Sequence, residues 1–359
     1  MKTIFILAAA LLLLTVPAVA VGVPEELQRA VPEQAQDVLD QADGSTAEAL
    51  SSGISKIVKK TLERGKSVLR ERVRGAVLIL MAALLCSAME GLYQGTGPGR
   101  ALHLIPMAGA LSVTMLAAGS LDSLIGLGAE TIDEINTFSS VLLPTLAAAT
   151  ATAGAVGTAA VQQVTTVFFA ELLMRLIDGL LMPMIYLYIG ALTAGAMLPN
   201  PQLTGIAEAL KKGIVWILSA ALIVFTVYLS VTRIISGSVD TSAVKVAKAA
   251  ISGMVPVVGS ILSEASETVL AGAGILKNTI GIFGMLTVLS ICAYPFLQLG
   301  IQYLLYKLTA FLAGIAGTPE LCRLIDGLGG AFGMVLGMTG ACALLLLVSV
   351  VSFVAVVVP

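Results

Sequence analysis

Along this chain, apolar runs long enough to cross a bilayer alternate with short polar punctuation. The cleanest occupy 76–93, 101–119, 179–198, 213–235, 279–299 and 331–358; two weaker ones cover 138–161, rich in Ala, Thr and Gly, and 301–315, interrupted by Lys307. A spanning helix needs about 20 predominantly apolar residues, so the pattern predicts about eight spans. The runs lack the two-residue alternation of a membrane barrel strand, so the expected fold class is all-α, a polytopic helical membrane protein. Small residues such as those of 154–160 suit close helix–helix approach inside it.

The start of the chain is patterned differently. Lys2, an apolar stretch over 4–14 and Ala18-Val19-Ala20 read as a signal peptide over 1–20, cleaved after Ala20. An uncleaved anchor is the alternative. Residues 21–75 then turn polar and are expected to be extracytoplasmic, ahead of a multi-span domain over 76–359. Within 54–73, Ile54, Ile57, Val58, Leu62, Val68, Leu69 and Val73 recur at helical spacing among eight Lys and Arg residues between Lys56 and Arg74. This is a basic amphipathic helix, which lies on anionic headgroups, docks on a partner or stands as a solvated stalk.

Composition agrees with the pattern. Hydrophobic residues make up 57% and charged residues 12%, and the mean hydropathy is +0.98; soluble domains carry about 25% charged residues. So little charge cannot cover a water-facing surface, and lipid must be the solvent for much of the chain. The net charge of −2 gives no case for nucleic acid, and the single histidine, His103, removes most metal-site and general-base chemistry. Cys86, Cys292, Cys322 and Cys342 are scattered and read as small apolar residues. No catalytic residue, cofactor or metal follows from this chain.

Sidedness comes from the basic loops. A cleaved signal and eight spans put Arg100, Arg175, Arg233, Lys245, Lys248 and Arg323 on the cytoplasmic side, and Lys211, Lys212 and Lys307 outside. Glu171, Arg175 and Asp178 are spaced to meet on one helix face, a compensated charge cluster at the membrane edge.

The segment 236–278 is neither plainly transmembrane nor plainly a soluble loop, because charges appear singly among small and apolar residues. Pro256 and Gly259 suit two short helices joined at a break. Lys248, Glu264, Glu267 and Lys277 either lie at the headgroups on a surface helix or face protein or water at membrane depth. Around them, Ala247-Lys248, Pro256-Val257-Val258-Gly259, Ser263-Glu264-Ala265-Ser266-Glu267-Thr268-Val269 and Leu276-Lys277-Asn278-Thr279-Ile280-Gly281 form a specific order. Here the chain resembles the stage III sporulation protein AE family of endospore-forming bacteria. The resemblance implies an integral subunit of the transenvelope channel apparatus that joins mother cell and forespore, in the mother-cell membrane surrounding the forespore. Its implied partners are the other membrane and ring-forming proteins of the same operon, its ATPase and the lipid bilayer. It implies support of forespore development after engulfment and no enzyme activity. From the residues alone, a secondary transporter for a small solute is the alternative, with Pro183 and Pro256 marking broken helices.

Overall fold

The computed structural model describes residues 23–32, 35–36, 47–94, 104–198, 201–254, 259–316 and 319–355, with the backbone alone over 47–49, 93–94, 104, 201, 232–254, 259–271, 273 and 316. The expected signal peptide lies outside the described residues. A short helix, α1 (Glu25–Arg29), precedes α2 (Ala47–Gln94), α3 (Leu104–Thr152), α4 (Val156–Leu176), α5 (Met182–Met197), α6 (Pro201–Met254), α7 (Gly259–Ala316) and α8 (Pro319–Val354). A π-helical turn, Ile177–Leu181, joins α4 to α5, and Pro183 sits at the opening of α5 just after it. That position suits a residue with no N–H to donate to the helix ladder.

All elements among the described residues are helical, and with α4, the π-helical turn and α5 counted as one, six helices are long and apolar enough to cross a membrane. Eight expected runs become six helices for two physical reasons. Gly300 does not break the helix, so 279–299 and 301–315 lie together in α7, which is 58 residues long. The run 138–161 instead contains a reversal: Gly154 has φ 96°, the Ala155 N–H donates to the Thr150 carbonyl at 3.2 Å and the Gly154 N–H to Ala151 at 3.0 Å. This pair of bonds closes the end of α3, and only glycine adopts that φ without strain. Residues 138–152 therefore belong to α3 together with 104–119.

Helix directions follow from close approaches. Gly195 lies against Thr204 and Gly213 against Met184, so α5 and α6 form an antiparallel hairpin. Gly314 meets Cys322, Gly329 meets Tyr306 and Gly281 meets Val354, so α7 and α8 form another. Gly128 against Val335 and Gly337 against Leu218 set α3 and α6 parallel to α8. The starts of α3, α6 and α8 and the ends of α5 and α7 consequently share one end of the bundle. The end of α6 and the start of α7 fall at the other.

The centre of the bundle is α8, which packs against α3, α4, α5, α6 and most extensively α7. Over half of the most apolar stretch of α7 and of α8 is buried, against 17% for α2 and α6. Trp216, Ile223, Val224 and Val227 on α6 are exposed, an apolar face suited to lipid. Glycines set the approach distance: a Cβ on Gly128 would sit 2.2 Å from Val335 Cγ1, and one on Gly281 the same distance from Val354 Cγ2. Small residues in membrane helices bring backbones close enough for dispersion to act.

The basic stretch 54–73 is the first half of α2, which continues without a break through Gly75. Its second surface is α7 of the same chain. Ile57 packs with Leu286, Arg64 stacks 5.8 Å from the Tyr294 ring centroid, and Arg72 Nη2 donates to Gln298 Oε1 at 3.2 Å. Lys59, Lys66, Arg70 and Arg74 stay exposed on the outer side.

Candidate functional site

The ends of α5 and α7 and the starts of α6 and α8 enclose a cleft of about 650 Å³. Each helix supplies polar side chains: Tyr188 from α5, Glu208 and Lys211 from α6, Lys307 from α7, and Arg323 and Asp326 from α8. Leu192, Ala310 and Phe311 form apolar wall between them. No one of these helices brings more than two charged groups, so the site exists only in the folded bundle.

Its inner wall is built on glycine. A Cβ on Gly327 would come within 2.5 Å of Leu192, one on Gly329 within 3.0 Å of Tyr306, and one on Gly330 within 3.0 Å of the Tyr188 hydroxyl. The buried Tyr188 hydroxyl donates to the Gly327 carbonyl at 2.9 Å, tying α5 to α8. Across the cleft, Lys307 Nζ donates to Asp326 Oδ1 at 2.6 Å, with the two side chains 31% and 48% exposed. A charge-assisted bond with both partners partly shielded outweighs a surface pair. Lys307 Nζ also lies 5.8 Å from the Tyr303 ring centroid, one turn earlier on α7.

Lys211, Lys307 and Arg323 therefore open onto one cleft, which corrects the expected split of Lys211 and Lys307 from Arg323 across the membrane. The split followed from counting 301–315 as a separate span. With α7 continuous, the alternation of sides changes at that point.

The cluster of Glu171, Arg175 and Asp178 is only partly assembled. Arg175 Nη2 pairs with Glu171 Oε1 at 2.6 Å, with side chains 77% and 61% exposed. Asp178 lies in the π-helical turn and makes no ion pair with Arg175 among the described residues. The widened turn displaces it from the position that a regular helix would give, three residues on.

Of the family-like segment, Pro256 lies outside the described residues. Lys248 belongs to α6, and Gly259, Glu264, Glu267 and Thr268 to the first turns of α7, each with backbone alone described. The two expected short helices are thus the far ends of two long ones, which stop at Met254 and restart at Gly259. Lys277 is 4% exposed. Asn278 is exposed, and Gly281 carries the close contact of α7 with the end of α8.

The stage III sporulation protein AE family model matches residues 37–357. The chain belongs to the stage III sporulation protein AE family. A relative in Bacillus subtilis (strain 168), called stage III sporulation protein AE, is 24% identical over 246 residues, covering 68% of this chain. The match spans 61% of that relative's length. No solved structure matches the chain. The family takes its name from sporulation, and six helices of this member among the described residues are long and apolar enough to cross a membrane.

Sequence reasoning missed Tyr188, Glu208 and Asp326, and it used Lys211, Lys307 and Arg323 only for sidedness. Lys307 inside an apolar run was the available signal, since an ionisable residue there needs a partner. Nothing along the chain names Asp326 as that partner, because the pairing depends on the α7–α8 hairpin.

Proposed function

We propose that this protein is an integral subunit of the sporulation-specific transenvelope complex linking mother cell and forespore, residing in the mother-cell membrane around the forespore and required for development after engulfment. The observation that carries the reading is the family match over nearly the whole chain, together with a bundle of six candidate spanning helices. Its partners in this reading are the other membrane and ring-forming proteins of the stage III operon and the ATPase that serves them. It assigns the chain no catalytic step. Deleting the gene in its endospore-forming host tests the reading. Normal vegetative growth with arrest after engulfment is expected, and sporulation at the parental frequency overturns it.

A second reading, a secondary transporter for a small solute, is favoured by the charged cleft between four helices and by the π-helical turn ahead of Pro183. Saturable uptake by the purified protein alone in vesicles supports this second reading, while activity only alongside partner proteins supports the first.

A further inference from the structure

The cleft holds more positive charge than its own acids answer. Asp326 is engaged by Lys307 at 2.6 Å, and the nearest cation to Glu208 is Lys212, at 4.0 Å on the same helix. Lys211, half-buried over the glycine run of α8 with Nζ 3.6 Å from where a Gly330 Cβ would be, has no ion pair or side-chain hydrogen bond among the described residues. Arg323 on the neighbouring helix, exposed at the mouth of the cleft, likewise has no ion pair or side-chain hydrogen bond among the described residues.

We propose that this cleft binds a phosphate-bearing anion, held between Lys211 of α6 and Arg323 of α8. A guanidinium presents paired donors matched to phosphate oxygens, and an ammonium adds a compact charge. The lining's three cations, Lys211, Lys307 and Arg323, and two acids, Glu208 and Asp326, leave one positive charge in excess, which matches a singly charged phosphate group, and the Lys307–Asp326 pair leaves Lys211 and Arg323 to meet it. The volume of about 650 Å³ exceeds what a bare ion needs and falls in the range of ligand pockets. Leu192, Ala310 and Phe311 give the ligand's remaining carbon an apolar wall. Basic pockets between membrane helices take phospholipid headgroups by this chemistry, and a soluble phosphate ester would use the same contacts. The inference rests on the cleft and not on the role in sporulation, so the two fail separately.

The full-length protein in an uncharged detergent is titrated with inorganic phosphate, and in nanodiscs phosphatidylglycerol is compared with phosphatidylcholine, following thermal unfolding. A saturable upward shift is expected. The double variant Lys211→Gln, Arg323→Gln weakens it at least tenfold, while Lys212→Gln, outside the cleft lining, stays within twofold of wild type. Response to inorganic phosphate identifies a soluble anion, and response to phosphatidylglycerol alone identifies a lipid headgroup. No response to either probe, an unaffected double variant, or an equal loss in Lys212→Gln overturns the proposal. If the double variant does not accumulate, the single variants decide: each is expected to weaken binding at least threefold, and unchanged binding in both overturns it.

Discussion

The two ends of this bundle carry their candidate residues in opposite ways. At the α6–α7 end, Glu264, Glu267 and Lys277 follow one another along the chain in an order specific enough to point to a family. At the cleft end, Tyr188, Lys211, Lys307, Arg323 and Asp326 come from four helices, and none stands in a motif. A contiguous motif is visible before folding. A cleft closed by helix hairpins becomes visible only after it, so the family signal and the charged cleft lie at opposite ends of one molecule.

The strongest way to break this contrast is at the motif end. Changing both Glu264 and Glu267 to Lys is expected to abolish sporulation with the protein still accumulating in membranes, because a reversed charge at a low-dielectric contact costs several kcal/mol as a rough scale. A segment that only floats at the headgroups would instead gain about 1 kcal/mol of lipid attraction per added basic residue. Sporulation counts alongside immunoblots separate the two.

Next in size is the glycine wall of the cleft. Gly327→Leu pushes a side chain into Leu192, whose Cδ1 would lie 2.5 Å from the new Cβ. Overpacking of this kind destabilises by about 1–3 kcal/mol, seen as a lower unfolding midpoint in detergent. Gly179→Leu, with nothing within 4 Å of its Cβ position, serves as the neutral control.

Asp326→Ala leaves the Lys307 ammonium half-shielded and unanswered, an expected loss of about 1–2 kcal/mol. Replacing Lys307 and Asp326 together with Leu should cost less than the sum of the single changes, and a double-mutant cycle on unfolding reads that coupling. Additive effects would mean the pair does not hold α7 to α8.

The smallest effect belongs to Glu171→Ala. Its pair with Arg175 is exposed and lies within one helix turn, so only about 0.3–0.5 kcal/mol is expected, with sporulation unchanged. A sporulation defect there would move the centre of function away from both ends.

These contrasts also show where sequence reading reached its limit. Helical class and membrane solvent are local properties, carried by hydropathy; the reversal at Gly154 is local too, but it shows in that residue's φ and not in hydropathy, so 138–161 read as one run. Span number failed where locality failed, because Lys307 read as an interruption, while its pairing with Asp326 and the packing on α8 hold it within one continuous helix. The basic stretch of α2 was legible as amphipathic, but its covering surface, the α7 side chains around Leu286, Tyr294 and Gln298, lies over 200 positions further on. The charge trio at 171–178 was half legible: its i,i+4 pair follows from regular helix geometry, and the π-helical turn beyond it does not.

The central claim is that Lys211 and Arg323 open on the same face of the membrane, at one cleft. Single cysteines at position 211 or 323, in protein whose four native cysteines are replaced by serine, can be labelled with an impermeant maleimide in oriented vesicles of both senses. The structure predicts that both positions react in the same vesicle orientation and are protected together in the other; labelling of 211 and 323 from opposite faces would contradict it.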